Sequence, residues 1–144
     1  MKKFFLLLLL TFSLFASDSK DVLRAQIIEK IISNISINEV ITVWSDNKEL
    51  IAEFRKSSNI ITTDDCGKAN IVVIENAKNI ENKDCKNKPV FVLNYNLLKD
   101  VPESFGAFFW KKGRPNIVLI KPRTLSHGIT IAKELEAYVE EKIW

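Results

Sequence analysis

Two runs of β-forming residues carry no polar position: Ile71-Val72-Val73-Ile74 and Val90-Phe91-Val92-Leu93. A strand with one face in water alternates apolar and polar side chains, so a run without alternation must be buried on both faces. Such strands belong in the middle of a sheet that is covered on each side. Val40-Ile41-Thr42-Val43-Trp44 reads as a further buried strand, and Asn59 to Thr63 as a short one. Between these two, Asn47 to Ser58 has helical spacing. Leu50, Ile51 and Phe54 share one side, with Lys48, Glu49, Glu53, Arg55 and Lys56 on the other.

Residues 17–36 read as a leading helix with Val22, Leu23, Ile27, Ile31, Ile32 and Ile35 on its apolar side and Asp18 or Ser19 as its cap. This helix could dock on a membrane or partner, or cover one face of the sheet. Asn76 to Lys88 is a polar crossover. Asn94 to Ser104 is a loop with one helical turn, limited by Pro102. Arg123 to Gly128 reads as a turn. Ile129 to Trp144 reads as a closing helix, with Ile131, Leu135, Tyr138, Val139 and Ile143 on its apolar face and Thr130 as its cap. The pattern predicts an α/β fold. It is a single layered domain with a mostly parallel central sheet, an antiparallel C-terminal hairpin at the edge, and flanking N- and C-terminal helices.

That hairpin lies in Phe105 to Pro122. Gly106 to Trp110 forms one strand, Lys111-Lys112-Gly113-Arg114-Pro115-Asn116 a basic turn, and Ile117 to Ile120 the second strand. Strand alternation places Phe108 and Trp110 on one face and Phe105, Ala107 and Phe109 on the other. Two aromatic faces leave two outcomes. A helix covers the outer set and the basic turn is merely solvated, or Phe108, Trp110, Lys111, Lys112 and Arg114 form a protein interface, where aromatics and Arg are enriched.

The chain begins with features of an export signal. Lys2-Lys3 precede an apolar run from Phe4 to Phe15 broken only by Thr11 and Ser13, and Ala16 offers a small residue for cleavage. The run is about a dozen residues, whereas a spanning helix needs roughly 20. Residues 1–16 are therefore expected to be a signal peptide and 17–144 the mature domain, placed in a bacterial periplasm. Losing Lys2 and Lys3 lowers the net charge from +3 to +1. A near-neutral exported chain is no general nucleic-acid binder, and no other apolar stretch is long enough to span a bilayer.

Two cysteines, Cys66 and Cys85, remain in an oxidising compartment, which suggests a disulfide. Each lies five residues ahead of a buried run, so parallel neighbouring strands would bring both to the same end of the sheet. Two free buried thiols are the alternative. A metal site lacks support, because there is no CxxC pair and one His.

No catalytic signature is present. GxSxG, HExxH, GxGxxG after a strand and GxxxxGK[ST] are all missing, and His127 beside Gly128 reads as a turn residue. The expectation is a non-enzymatic protein without a cofactor. Ligands of open α/β sheets bind beyond the carboxyl ends of the strands. Here those ends carry Asp46, Glu75, Asn76, Asn94, Tyr95 and Asn96. They could line a small-solute crevice, or simply serve turn chemistry.

The order of elements resembles the YfiR-like periplasmic proteins. The matching residues are Gly106, Phe108 and Phe109, then Gly113-Arg114, then Ile117, Leu119, Leu125, Gly128, Ile129 and Ile131, with Cys66 ahead of the Ile71–Ile74 strand. A short link between the second and third strands and Lys121-Pro122 after the hairpin depart from the pattern. The resemblance implies a non-enzymatic regulator that binds the periplasmic domain of an inner-membrane signalling protein, often a diguanylate cyclase. It also implies that the disulfide holds the binding-competent shape.

Overall fold

A seven-stranded sheet organises the chain. The computed structural model describes residues 20–56, 59–81 and 84–144. The expected signal peptide and the caps Asp18 and Ser19 lie outside the described residues. Helix α1 covers residues 20–33. Strand β1 is Ile35–Ser36, β2 is Thr42–Ser45, helix α2 is Lys48–Lys56 and β3 is Ile61–Thr62. Strand β4 is Ile71–Ile74, β5 is Val90–Val92 and helix α3 is Leu97–Asp100. Strand β6 is Ser104–Lys111, β7 is Arg114–Ile120 and helix α4 is Lys121–Ser126. Strand β8 is Thr130–Ile131 and β9 is Val139–Glu140, with 3-10 turns at Cys66–Lys68, Ala77–Ile80 and Lys133–Tyr138.

The sheet runs β3-β2-β4-β5-β6-β7-β9. Strands β3 through β6 are mutually parallel, β6 and β7 are antiparallel, and β9 lies parallel to β7. Strands β1 and β8 form a separate antiparallel pair, Ile35 opposite Ile131. The expected α/β domain with a mostly parallel centre is thus what forms. Every residue of β4 and β5 is buried, as their unbroken apolar sequences require.

Each face of the sheet has its own core. Ile71, Val73, Phe91, Phe108 and Leu119 face α1 and α2, meeting Ile28, Ile31, Leu50 and Phe54. Val72, Ile74, Val90, Val92 and Ala107 face the other way, toward Leu98, Val101 and the cysteines. Helix α1 therefore covers the sheet, although its phase differs from the expected one. Ile28 is fully buried, Leu23 is exposed, and Ile35 belongs to β1. Val40, expected in a buried strand, is 70% exposed because pairing begins at Thr42.

Cys66 and Cys85 pair as a disulfide with Cα atoms 5.4 Å apart, at the entry to the parallel neighbours β4 and β5. Closing a loop of this size stabilises by about 3 kcal/mol in the chain-entropy description. Lys88 reinforces the same corner, its Nζ donating to the carbonyls of Gly67 and Ala69. Arg123 does comparable work at the same end of the sheet, where the chain enters β6. Its Nη1 reaches the carbonyls of Leu98, Val101 and Ser104 and the Ser104 hydroxyl, at 2.7–3.2 Å. Burial lowers the Arg123 pKa, while Glu103 pulls it back up.

Three expectations need correction. The stretch 129–144 is not one helix. Its first residues pair with β1, a 3-10 turn follows, and Val139–Glu140 joins β7. Backbone pairing at two separate strand edges overrides a helical spacing in which only Leu135 of the central turn is buried. The expected turn at 123–128 overlaps helix α4, which starts at Lys121 with Pro122 in its first turn, where proline is favoured. Finally, the hairpin is not the sheet edge along its whole length, because β9 pairs with β7 at Leu119 and Ile120.

Phe105 also departs from simple alternation. Val90 faces Ser104 but Phe91 faces Gly106, so β6 carries one extra residue at Phe105. This shift puts Phe105 and Phe108 in the same core, with the Phe105 ring 5.8 Å from that of Phe91. Gly106 makes it possible. A Cβ there would lie 2.7 Å from the Val118 carbonyl oxygen and 2.8 Å from Leu119 Cδ2. Gly106→Ala should therefore cost about 2 kcal/mol or more, read as a lower urea midpoint at unchanged m-value. An unchanged midpoint would show that the β5–β6 approach has slack.

Candidate protein interface

The tip of the β6–β7 hairpin is a two-residue turn. Lys112 and Gly113 both adopt positive φ, 52° and 75°, between the paired Lys111 and Arg114. Two left-handed central residues define a type I′ turn, whose twist matches that of the flanking strands. The turn is therefore shorter than expected, with Arg114, Pro115 and Asn116 inside β7. Its length holds the cations at a rigid tip rather than on a loose loop.

Of the residues expected at an interface, Phe108 is buried at 1% and belongs to the core. It supports the neighbouring indole from below. Trp110 meets the Phe108 ring edge-on at 5.3 Å and is 38% exposed. Lys20 Nζ sits 5.5 Å from the Trp110 ring centroid, a cation–π contact that ties the start of α1 to the tip. Lys111, Lys112 and Arg114 are exposed. Among the described residues none of these three has an ion-pair partner. The tip thus combines one supported aromatic with a group of uncompensated cations.

Beside the tip lies a groove of about 420 Å³ that sequence reasoning did not find. Its walls are Ile27, Lys30 and Ile31 of α1, Pro115 to Ile117 of β7, and Glu134, Leu135 and Tyr138 after β8. No sequence signal pointed to it, since Leu135 and Tyr138 were expected on the apolar face of a closing helix. The groove depends on two distant segments meeting at β7, which no local pattern encodes.

The six strand-end residues expected at a ligand crevice are largely engaged within the fold. Asp46 accepts from the backbone N–H of Glu75 and Asn76, at 2.8 and 3.0 Å, and from Asn79 Nδ2 at 2.8 Å. It is the staple that turns the chain after β4. Glu75 accepts from Asn47 Nδ2, and Asn47 Oδ1 in turn caps α2 through the Leu50 N–H. Asn94 caps its own turn at Asn96. The Tyr95 hydroxyl accepts from the Trp144 N–H at 2.9 Å, and its ring meets Phe109 edge-on at 5.1 Å. A polar crevice of about 470 Å³ does open at the carboxyl ends of β2 and β3, lined by Asp46 with Trp44, Lys48, Arg55 and Asp64. Glu75, Asn94 and Tyr95 do not line it. The Arg55–Asp64 ion pair at 2.7 Å crosses it in solvent and contributes little. His127 occupies a turn, its Nε2 2.9 Å from the Glu103 carbonyl oxygen.

Among the described residues no cluster of His, Cys, Asp or Glu has the arrangement of a metal site, and no helix is long and apolar enough to cross a membrane. Comparison with known protein families, curated proteins and solved structures finds no match to this chain.

If Asp46 is structural, Asp46→Ala should lower stability by about 1 kcal/mol, the loss of a charged acceptor for partly solvated donors. The check is a denaturant titration of the unliganded protein. Full stability in that variant would return Asp46 to the list of free ligand groups.

Proposed function

We propose that this chain is a non-enzymatic periplasmic binding protein that contacts and modulates an inner-membrane signalling protein, such as a diguanylate cyclase or sensor kinase. The observation that carries this reading is the hairpin tip, where Trp110 stands partly exposed beside three cations that have no ion-pair partner among the described residues. Interface hot spots are enriched in Trp and Arg packed against a supporting core. Phe108 supplies that support here. The export-like N-terminus, the disulfide and the resemblance to YfiR-like proteins favour the periplasmic placement.

The test is a cross-linked capture from whole envelopes, comparing the protein with its Lys111→Glu, Lys112→Glu, Arg114→Glu variant. A single inner-membrane signalling protein should be captured by the former and fall at least tenfold with the latter, while the melting temperature stays the same. Equal capture by both would remove the tip from the interface.

A second reading, small-solute binding, rests on the 470 Å³ crevice at the ends of β2 and β3. A screen of small anions should then raise the melting temperature, and Lys48→Ala should abolish the rise. Lys48 is the better probe because Asp46 is needed by the turn after β4. A rise that survives Lys48→Ala would place the solute elsewhere.

A further inference from the structure

The outer edge of β7 is only half covered. Strand β9 pairs with Leu119 and Ile120, and the chain enters it through the Lys133–Tyr138 turn, which stands across the groove from Pro115 to Ile117. Among the described residues no strand lies outside β7 from Arg114 to Val118. A two-residue hairpin sets which backbone groups point outward. Lys111 and Arg114 form the closing hydrogen-bonded pair, so the alternate positions Pro115, Ile117 and Leu119 direct their backbone groups away from β6. Leu119 is taken by β9 and Pro115 has no N–H. Ile117 therefore offers both an N–H and a C=O to whatever lies beside it.

We propose that this edge is a strand-docking site for an extended acidic segment of a protein partner. The inference rests on the partner-binding reading above and states how that partner would be held. Strand addition needs an exposed edge for the main chain and pockets for alternate side chains. The groove beside Ile117 supplies the pockets, with Ile27, Ile31 and Leu135 as apolar walls. Charge selects the guest. Lys30 lines the groove, and Arg114 directly precedes Pro115 of its wall, with the exposed Lys111 and Lys112 in the same turn. Glu134 is the one carboxylate on the wall, so acidic guest side chains would lie toward the hairpin tip. An antiparallel guest residue opposite Ile117 would exchange two hydrogen bonds with it. Pro115 restricts the pairing to this short register, because it withholds the next donor. The same restriction protects the edge against extended self-pairing.

The probe is a blocked octapeptide alternating valine and glutamate, added to the ¹⁵N-labelled protein. Binding should shift the Ile117 amide resonance and slow its hydrogen exchange at least tenfold. A peptide of the same sequence with N-methylated alternate amides should bind at least tenfold more weakly, and a valine–lysine peptide at least fivefold more weakly. The N-methyl comparison uses the unaltered protein, so it does not depend on a variant such as Ile117→Pro folding. Equal binding of the N-methylated peptide, or no change at Ile117, overturns strand docking. If charge reversal at the tip still abolishes envelope capture, the interface reading survives that result alone. Slowed exchange at Ile117 in the protein by itself, growing with its concentration, would assign the edge to a second copy and overturn the acidic-partner assignment.

Discussion

The close approach of β5, β6 and β7 at Gly106 sets the geometry of everything C-terminal to it. No side chain fits at that position, where the Val118 carbonyl and Leu119 crowd the α-carbon. The extra residue at Phe105 moves two phenylalanines into the core beneath α1, and leaves Ala107 and Val118 for the opposite face. From that point normal alternation resumes. It buries Phe108, brings Trp110 onto its edge and carries the cations outward at the turn. A different phase in β6 would exchange the faces and send Phe105 and Phe108 into the core now filled by Ala107 and Val118.

The two faces are held by different physics. Beneath α1 and α2 the core is a broad apolar contact, and dispersion and burial suffice. The other face has only short helical pieces, too brief to be stable by themselves. There the chain relies on point attachments. The disulfide and Lys88 close the corner before β4 and β5, Arg123 gathers three carbonyls around α3, and Asp46 clamps the turn after β4. Lys88, Arg123 and Asp46 each satisfy backbone groups near strand ends, which is why such polar residues sit there. Residues of this kind imitate ligand-binding groups in a sequence.

The interface reading and the edge of β7 share one cause. A rigid I′ turn projects the tip beyond the body of the sheet, and the chain after β8 returns to β7 only at Leu119. Above that point the groove borders Pro115 to Ile117, next along β7 from the cations of the tip. An aromatic backed by the core costs little entropy to present, because its rotamer is already held by Phe108.

Local pattern was enough to read the buried strands, helix α2, the single turn of α3 and the hairpin. Unbroken apolar runs and turn residues have few alternative solutions. Pairing of Cys66 with Cys85 was also legible, because parallel neighbours bring equivalent positions together. The closing segment was misread, since Ile131, Leu135 and Tyr138 fit helical spacing as well as they fit two strand ends around a 3-10 turn. Open strand edges elsewhere in the fold decided between them. The candidate site divides in the same way. Sequence alone determined that aromatic and basic residues would be neighbours on a hairpin, because a tight turn between β-formers is a local matter. Only the tertiary structure decided which ring is buried, which strand-end carboxylate is already occupied, and that an uncovered edge lies beside the tip. Those outcomes depend on segments far apart in the chain meeting at one place, and no stretch of sequence carries that contact by itself.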